Sequence, residues 1–524
     1  MKKRKTATHE ESSRRYLTRR QVVKLAGLTA AMALAPATPR IARGATAAPK
    51  RGGSLTLGMA NDVLTFDPQH LGLVNYPLIP NLYDSLIRYD RAIRPIPGLA
   101  EKWEAAPDGK TLTLTLRQGV KFHSGKDLDA AAVIKTFDKA RNKAIGLNLF
   151  EPTRTVESVE AKDRNTLVIR FSQPTPDMFD TMQIMYVIDP DVMPSLKNRG
   201  AGKGPYKFVE WVSGDHITLE RNPHYWDKDR PLLDKITYKV YPDTDAMAAA
   251  LQSGIIDMAV FVPAKDAALL KEKFVVLEGQ KGALTSELRI NARRSPFDKK
   301  EARQAIQYAI DRRGIVERVM FGIGSPTVVP FPDYSPAYDA KWNDIYKFDL
   351  NKAKDLIAKC GHPSGLEAKI LIISTNPLHT AIAQVLQADL AKIGSKLTLD
   401  PVDTTVYYQK LYAGDFQITP SRSGRQHKYP TGLTSNSIYR LANSPGWGDN
   451  VPKAYVDAVK DALATMNPAS QKDAFGRMSN ALMDESWIVN IAWQVNLFAL
   501  AKHVKGFEYN PDDMPFLHGV SIDR

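Results

Sequence analysis

The chain has 524 residues, 43% of them hydrophobic, a single cysteine and a formal net charge of +14. One cysteine excludes any internal disulfide. The charge is unevenly placed: residues 1–47 hold 11 Lys+Arg against 2 Asp+Glu, so the remaining 477 residues carry +5, too little to suggest nucleic-acid or membrane binding.

The first fifty residues read as an address. A basic, polar segment leads to the pair Arg19-Arg20, and Leu25 to Ala37 then run thirteen residues without a charge. Crossing a bilayer takes about 20 apolar residues, so this run is too short to be a membrane span. Ala45-Thr46-Ala47 supplies the small-x-small pattern of a signal-peptidase site, which places cleavage after Ala47. Thr18-Arg19-Arg20-Gln21-Val22-Val23-Lys24 resembles the twin-arginine export signal, with a general secretory leader as the alternative. Cys360 is far from the cleavage point and cannot carry a lipid there. The mature chain is therefore expected to be a soluble protein of the bacterial periplasm, long enough for two large lobes or three domains.

Downstream, the segment DGKTLTLTLRQGVKF begins with an Asp-Gly turn and alternates Thr and Leu from Thr111 to Leu116, the period-two signature of a half-buried strand. RNTLVIRF and SGDHITLERN repeat the turn-then-strand pattern. The segment from Asp234 to Val262 predicts a strand to about Tyr241, a helix from about Asp243 ended by Gly254, and a second strand from about Ile256. In the segment from Ala368 to Leu399 the same order recurs, with Ile382, Val385, Leu386, Leu390 and Ile393 on one helical face and Gly394 as the stop. Each unit implies parallel sheet. Between them, Asp298 and Glu301 have capping-box spacing ahead of an apolar stripe at Ala302, Ala305, Ile306, Ala309 and Ile310. Cys360 follows Ala353, Leu356 and Ile357 on an apolar helical face and reads as a core residue.

No catalytic signature accompanies these elements. A Gly-x-Ser-x-Gly elbow, a His-Glu-x-x-His pair, a phosphate loop and a strand-coupled dinucleotide fingerprint are all absent from the sequence. The ten histidines are scattered, and His216 and His224 are badly spaced for a local metal site. Neither a cofactor nor a metal is expected. An exported chain with a large core and no such signature suits reversible binding, with an exported hydrolase as the alternative from another class.

Several long stretches give that reading a family. GGSLTLGMANDVLTFDPQH, LYDSLIRYD, PIPGLAEKWEAAPDGKTLTLTLRQGVKFHSGKDLDAAAVIKTF, GKGPYKFVEWVSGDHITLERNPHYW, YPDTDAMAAALQSGIIDM and RINARRSPFDKKEARQAIQYAIDR occur in order across about Gly52 to Gly324. The chain resembles the family 5 extracytoplasmic solute-binding proteins, the peptide/nickel receptors of ABC importers. The resemblance implies an α/β, two-lobed periplasmic-binding-protein fold of the type II-like, cluster C kind, with an extra β-rich subdomain inserted in the first lobe. Residues 48–288 plus 492–524 would form lobe I, with the insert at about 78–200, and residues 289–491 lobe II. Crossings near Arg289-Ile290-Asn291 and Ala492-Trp493-Gln494 would act as the hinge. The implied partners are a small-molecule solute, peptide-like or anionic, and the permease subunits of the inner membrane; the receptor itself would be a monomer.

The same resemblance suggests cleft residues. Asp62, Thr65 and Tyr76 border the cleft in the family's first strand and loop, Ser286, Glu287 and Asn291 approach from one crossing, and Trp493 from the other. Dipeptide-binding members place an arginine before an Asn-Pro pair. Here Asn376-Pro377 is present, but Ile373 stands at the arginine position. Lys428 and Tyr429 stand where those members carry acid, in a loop that also holds Arg422, Arg425 and His427. The loop favours an anionic or hydroxyl-rich solute over a free dipeptide, unless its bases only line a solvated surface. A nickel chelate, an oligosaccharide or an opine-like solute would suit the same fold. Architectural roles are expected for Gly204-Pro205-Tyr206 and Asn222-Pro223, and His123 is expected to be a hydrogen-bonded loop residue.

Replacing Arg19 and Arg20 together by lysine is expected to block export of the chain, read as loss of the mature form from the periplasmic fraction; unaltered export would remove the twin-arginine assignment.

Overall fold

Alternating and continuous apolar runs in the sequence settle into three principal sheets. The computed structural model describes residues 50–524 apart from 201, 425–427 and 436. The leader, with Arg19, Arg20 and Ala47, and the loop residue Arg425 lie outside the described residues.

The first sheet has seven strands. In spatial order they are Val275–Glu278, Leu497–Leu500, Met258–Val260, Ser54–Met59, Lys235–Val240, His216–Arg221 and Tyr206–Val212. Ser54–Met59 runs parallel to both of its neighbours, and the helix Thr244–Gln252 joins those neighbours as the strand-helix-strand pattern requires. Leu55, Leu57, Ile236, Tyr238, Phe498 and Leu517 share its core, so the last thirty residues complete a structure begun by the first.

The second sheet has six strands, in the order Ser325–Pro326, Ile488–Gln494, Leu284–Ile290, Ile418–Gly424, Glu367–Ile373 and Lys396–Val402. Its last two strands are parallel and joined by the helix Pro377–Ala391, whose Ile382, Leu386 and Leu390 are buried. The third sheet is a four-stranded antiparallel one, Ala100–Ala105, Thr111–Leu116, Thr166–Phe171 and Val156–Asp163. Leu112, Leu114 and Leu116 are fully buried while the alternating threonines are only partly covered, as the pattern predicts.

Two local expectations change. The helix Lys300–Ala309 starts after Lys299 with no side-chain cap, so Asp298 and Glu301 form no capping box. The Arg303 guanidinium instead takes the carbonyl oxygens of Phe297 (3.0 Å) and Asp298 (3.4 Å), which holds Asp298 outside the helix by its backbone. Cys360 is half-buried at the end of the helix Leu350–Lys359, where burial raises the thiol's pKa and its S–H donates to the Ile357 carbonyl at 3.1 Å. A protonated thiol is a poor nucleophile.

His123 locks a turn, as the sequence suggests. Its ring meets the Gly204 carbonyl at 3.1 Å and accepts from the Gly202 N–H at 3.2 Å, and burial lowers its pKa to about 4.

The chain passes between the two larger sheets twice, at residues 279–283 and 495–496. Arg289 and Ile290, expected at the first crossing, and Ala492, Trp493 and Gln494, expected at the second, lie inside strands of the second sheet instead. Both crossings are held by one side chain. The tail turns tightly at Asn510–Met514, where the Asn510 carboxamide oxygen accepts the N–H groups of Asp512 and Met514 at 2.9 Å each. Asp513, in that turn with φ of 60°, is fully buried; it accepts the Gln280 N–H at 2.5 Å and the Asn496 side-chain N–H at 2.9 Å. A side chain at Gly279 would run into this carboxylate. Burial is the main reason its pKa rises to about 7.

These two groups give stability opposite dependences on pH. The unfolded chain protonates His123 near 6.5 and the folded chain only near 4, so its contribution is intact above 6.5 and lost as pH falls toward 4. His123→Gln is expected to flatten that part of the urea-unfolding pH profile, leaving a residual slope from the buried His379 and His518, which shift the same way. Asp513 gains its proton more readily when folded, so its contribution is present below about 4 and lost as pH rises through 7. The stability advantage of wild type over Asp513→Asn is expected to shrink between pH 4 and 7, by up to about 1.4 kcal/mol per pH unit.

Candidate functional site: a cleft divided by a buried ion pair

Where the three sheets' chain segments converge, three cavities open. One, of about 380 Å3, is lined by Leu71, Tyr76, Ile184, Gly424, Asp512 and Met514 among others. A second, of about 370 Å3, lies against Glu151, Arg154, Asp177, Asp180, Lys428 and Thr434, and a third, of about 310 Å3, against Tyr89, Phe179, Tyr334, Lys428 and Tyr429. Each volume is at the lower end of what small-molecule sites enclose. The walls come from the loop after the first strand, the elements around the third sheet, the end of the Ile418–Gly424 strand and the tail turn.

Lys428 stands between these cavities. Its side chain is 1% exposed and its ammonium donates to Gln183 Oε1 at 2.6 Å and to Asp512 Oδ2 at 2.8 Å. The Tyr429 N–H adds a bond to Asp180 Oδ2 at 3.1 Å. The loop thus does not offer Lys428 to a solute anion; desolvating a cation this deeply requires partners, and the protein supplies them itself. Arg422 behaves differently. It is exposed on the Ile418–Gly424 strand, opposite Ser286, and its charge adds to burial in holding the His379 pKa down at about 4.

The remaining candidates are distributed as follows. Tyr76 lines the cavity of about 380 Å3. Asp62 sits against the Tyr206–Val212 hairpin, accepting the Trp211 indole N–H at 3.0 Å and the Gly214 N–H at 2.8 Å, and is committed to holding that turn. Thr65 donates to the Leu196 carbonyl at 3.0 Å. Glu287 is fully buried and accepts from Arg289 Nε at 3.0 Å, Ser423 at 2.5 Å and the Tyr439 hydroxyl at 3.0 Å. Ser286 is buried beside it on the strand. Asn291 ties the Gly414 carbonyl at 2.8 Å and the Arg293 N–H at 3.0 Å. Asn376 caps the helix Pro377–Ala391 through the Leu378 and His379 N–H groups, as residues before an N1 proline commonly do. Trp493 is 3% exposed in its strand, covered by packing. The structure therefore brings Tyr76 to the cavity wall and turns Asp62, Thr65, Glu287, Asn291, Asn376 and Trp493 to internal contacts.

Sequence reasoning misses Gln183, Asp512 and Asp513. Asp512 and Asp513 stand in the run NPDDM, where Asn-Pro and paired acids announce a turn but not its partners. Among the described residues no group of three His, Cys, Asp or Glu side chains is placed to hold a metal ion, and no helix is long and apolar enough to cross a membrane.

Comparison with known proteins places the whole chain in context. The heme-binding protein A of Haemophilus influenzae is 27% identical over 481 residues, covering 84% of this chain and 87% of its own. The glutathione-binding protein GsiB of Escherichia coli is 26% identical over 480 residues, covering 88% and 92%. In structure, the binding protein AgaA of A. tumefaciens, solved with agropinic acid, superposes with a TM-score of 0.77 at 27% identity over 90% of this chain and 99% of that one. CtaP of Listeria monocytogenes, an ABC-transporter substrate-binding protein, shares the fold with a TM-score of 0.82 at 22% identity, over 91% and 100%. The model of the middle region of the bacterial extracellular solute-binding proteins, family 5, matches residues 94–442, two thirds of the chain. With that match spanning the third sheet and most of the second, the chain belongs to the bacterial extracellular solute-binding proteins of family 5.

Proposed function

We propose that this chain is the periplasmic solute-capturing component of an ABC importer, binding a peptide-like or opine-like small organic solute and making or breaking no bond. Residues 50–278 with 497–524 act as one lobe and 284–494 as the other, and the solute is enclosed when they close about the two crossings, residues 279–283 and 495–496. After removal of its leader the receptor works as a soluble monomer and delivers its solute to the permease subunits.

The observation that carries this reading is the composition of the cavity of about 380 Å3. Gly424 belongs to the second sheet, while Tyr76 and Met514 belong to segments packed on the first, and only two short crossings join those sheets covalently. A rotation about residues 279–283 and 495–496 would change the cavity's volume without disturbing either core. The lining offers apolar contact from Leu71, Ile184 and Met514 and hydrogen bonding from Tyr76 and Asn148, the mixture that orients a small polyfunctional solute. The names of the relatives, one a glutathione-binding protein and one solved with agropinic acid, support a peptide-like or opine-like solute.

Thermal unfolding of the mature protein against peptides, opines, sugars, metal chelates and organic acids is expected to show one class of stabilising compound, worth about 2.7 kcal/mol at 100 times Kd. Tyr76→Ala is expected to weaken that compound about tenfold, or about 1.4 kcal/mol. Consumption of the compound by purified protein would overturn the receptor reading.

A further inference from the structure

The point where the three cavities meet is occupied by the protein's own ammonium group. Lys428 lines the second and third cavities, Asp512 lines the first, and the two side chains meet at 2.8 Å. Gln183 Oε1 accepts from the same ammonium at 2.6 Å. Both acceptors are buried, Gln183 at 2% exposure and Asp512 at 8%. A carboxylate and a carboxamide oxygen converging on one point in a cleft are what a primary ammonium needs: charge-assisted acceptors within hydrogen-bond distance, shielded from water.

We propose that Gln183 and Asp512 form an ammonium subsite which the protein fills with Lys428, making Lys428 a specificity-determining residue that turns the cleft against solutes presenting a free amine there. The inference rests on the reading of the cleft as a solute site. Its physical content is competition. With the lobes closed, a solute ammonium can reach Asp512 only by displacing a tethered one, and a tether supplies its group at a high effective concentration. Lys428 stays bonded unless the incoming amine gains more elsewhere. Neutral and anionic solutes meet no such competitor.

Lys428→Ala should leave a vacancy shaped for an alkylammonium ion and open to the cavities. n-Butylammonium, which matches the lysine side chain in length, is expected to raise the melting temperature of Lys428→Ala and to leave wild type and the double variant Lys428→Ala/Asp512→Asn unmoved. Tetramethylammonium, which has no N–H to donate, should stabilise none of them. By calorimetry, Lys428→Ala should bind the tripeptide Ala-Ala-Ala at least tenfold more tightly than its N-acetylated form, whereas wild type should show no preference for the free amine. Lys428→Met, which fills the volume of the stem but brings no ammonium to Asp512, should share the preference for the free amine over its N-acetylated form and provides a second variant should the alanine form fail to fold. Absence of butylammonium rescue, equal rescue in the double variant, or a tenfold preference of wild type for the free amine would overturn the subsite. Rescue with no small solute bound by any variant would uphold the subsite and overturn the solute reading, while solute binding without rescue would do the reverse.

Discussion

Two neighbouring carboxylates that must both be kept from water dominate the arrangement of this molecule. Asp512 and Asp513 are presented by one tight turn of the tail, and the charge of the first adds to burial in raising the pKa of the second. An uncompensated buried charge costs several kcal/mol, so each carboxylate fixes whatever neutralises or solvates it. Asp512 fixes Lys428 and through it the loop that follows the second sheet. Asp513 fixes Gln280 and Asn496, the backbone of one crossing and the side chain of the other. The turn thereby joins the cleft to the two chain passages between the larger sheets.

A second buried network stiffens the wall behind. Glu287 gathers Arg289, Ser423 and the Tyr439 hydroxyl, so the centre of the six-stranded sheet carries a saturated ion pair instead of an apolar face. Tyr407 extends the polar face by donating to the Pro420 carbonyl at 2.7 Å. Such networks hold their members in one geometry because every broken bond leaves a buried polar group unpaired. Such a network favours a rigid sheet, which suits the proposed rotation about the short crossings.

The parts of this design that are legible in the sequence are those written locally. The Thr-Leu alternation at Thr111 to Leu116 gives its strand because one face is buried and the other is not. The stripe at Ile382, Leu386 and Leu390 gives its helix for the same reason. The capping box fails because the helix starts one residue later than its spacing requires, with Lys299 and not Asp298 at the cap. At the candidate site, position along the strand indicates which residues lie near the cleft but not which way their polar atoms turn. Asp62 looks like a ligand-binding acid until Trp211, 149 residues away, is seen to occupy it. Lys428 reads as an exposed base until Asp512, 84 residues further on, reaches it. Pairings over such distances leave no periodic trace, and buried strands with polar residues on both faces hide their orientation.

The placement of the Leu497–Leu500 strand has a consequence for how the molecule comes into being. It lies between Met258–Val260 and Val275–Glu278, more than 200 residues earlier in the chain. During synthesis the first sheet therefore waits with a gap near one edge while the entire second sheet is made, and apolar surface around Val260 stays without its cover. Contacts this distant in sequence form slowly because a long loop must close before any of them is rewarded. The tail that fills the gap also brings the turn that sets the crossings, so the nascent chain gains its finished core and its working joint in the same last step.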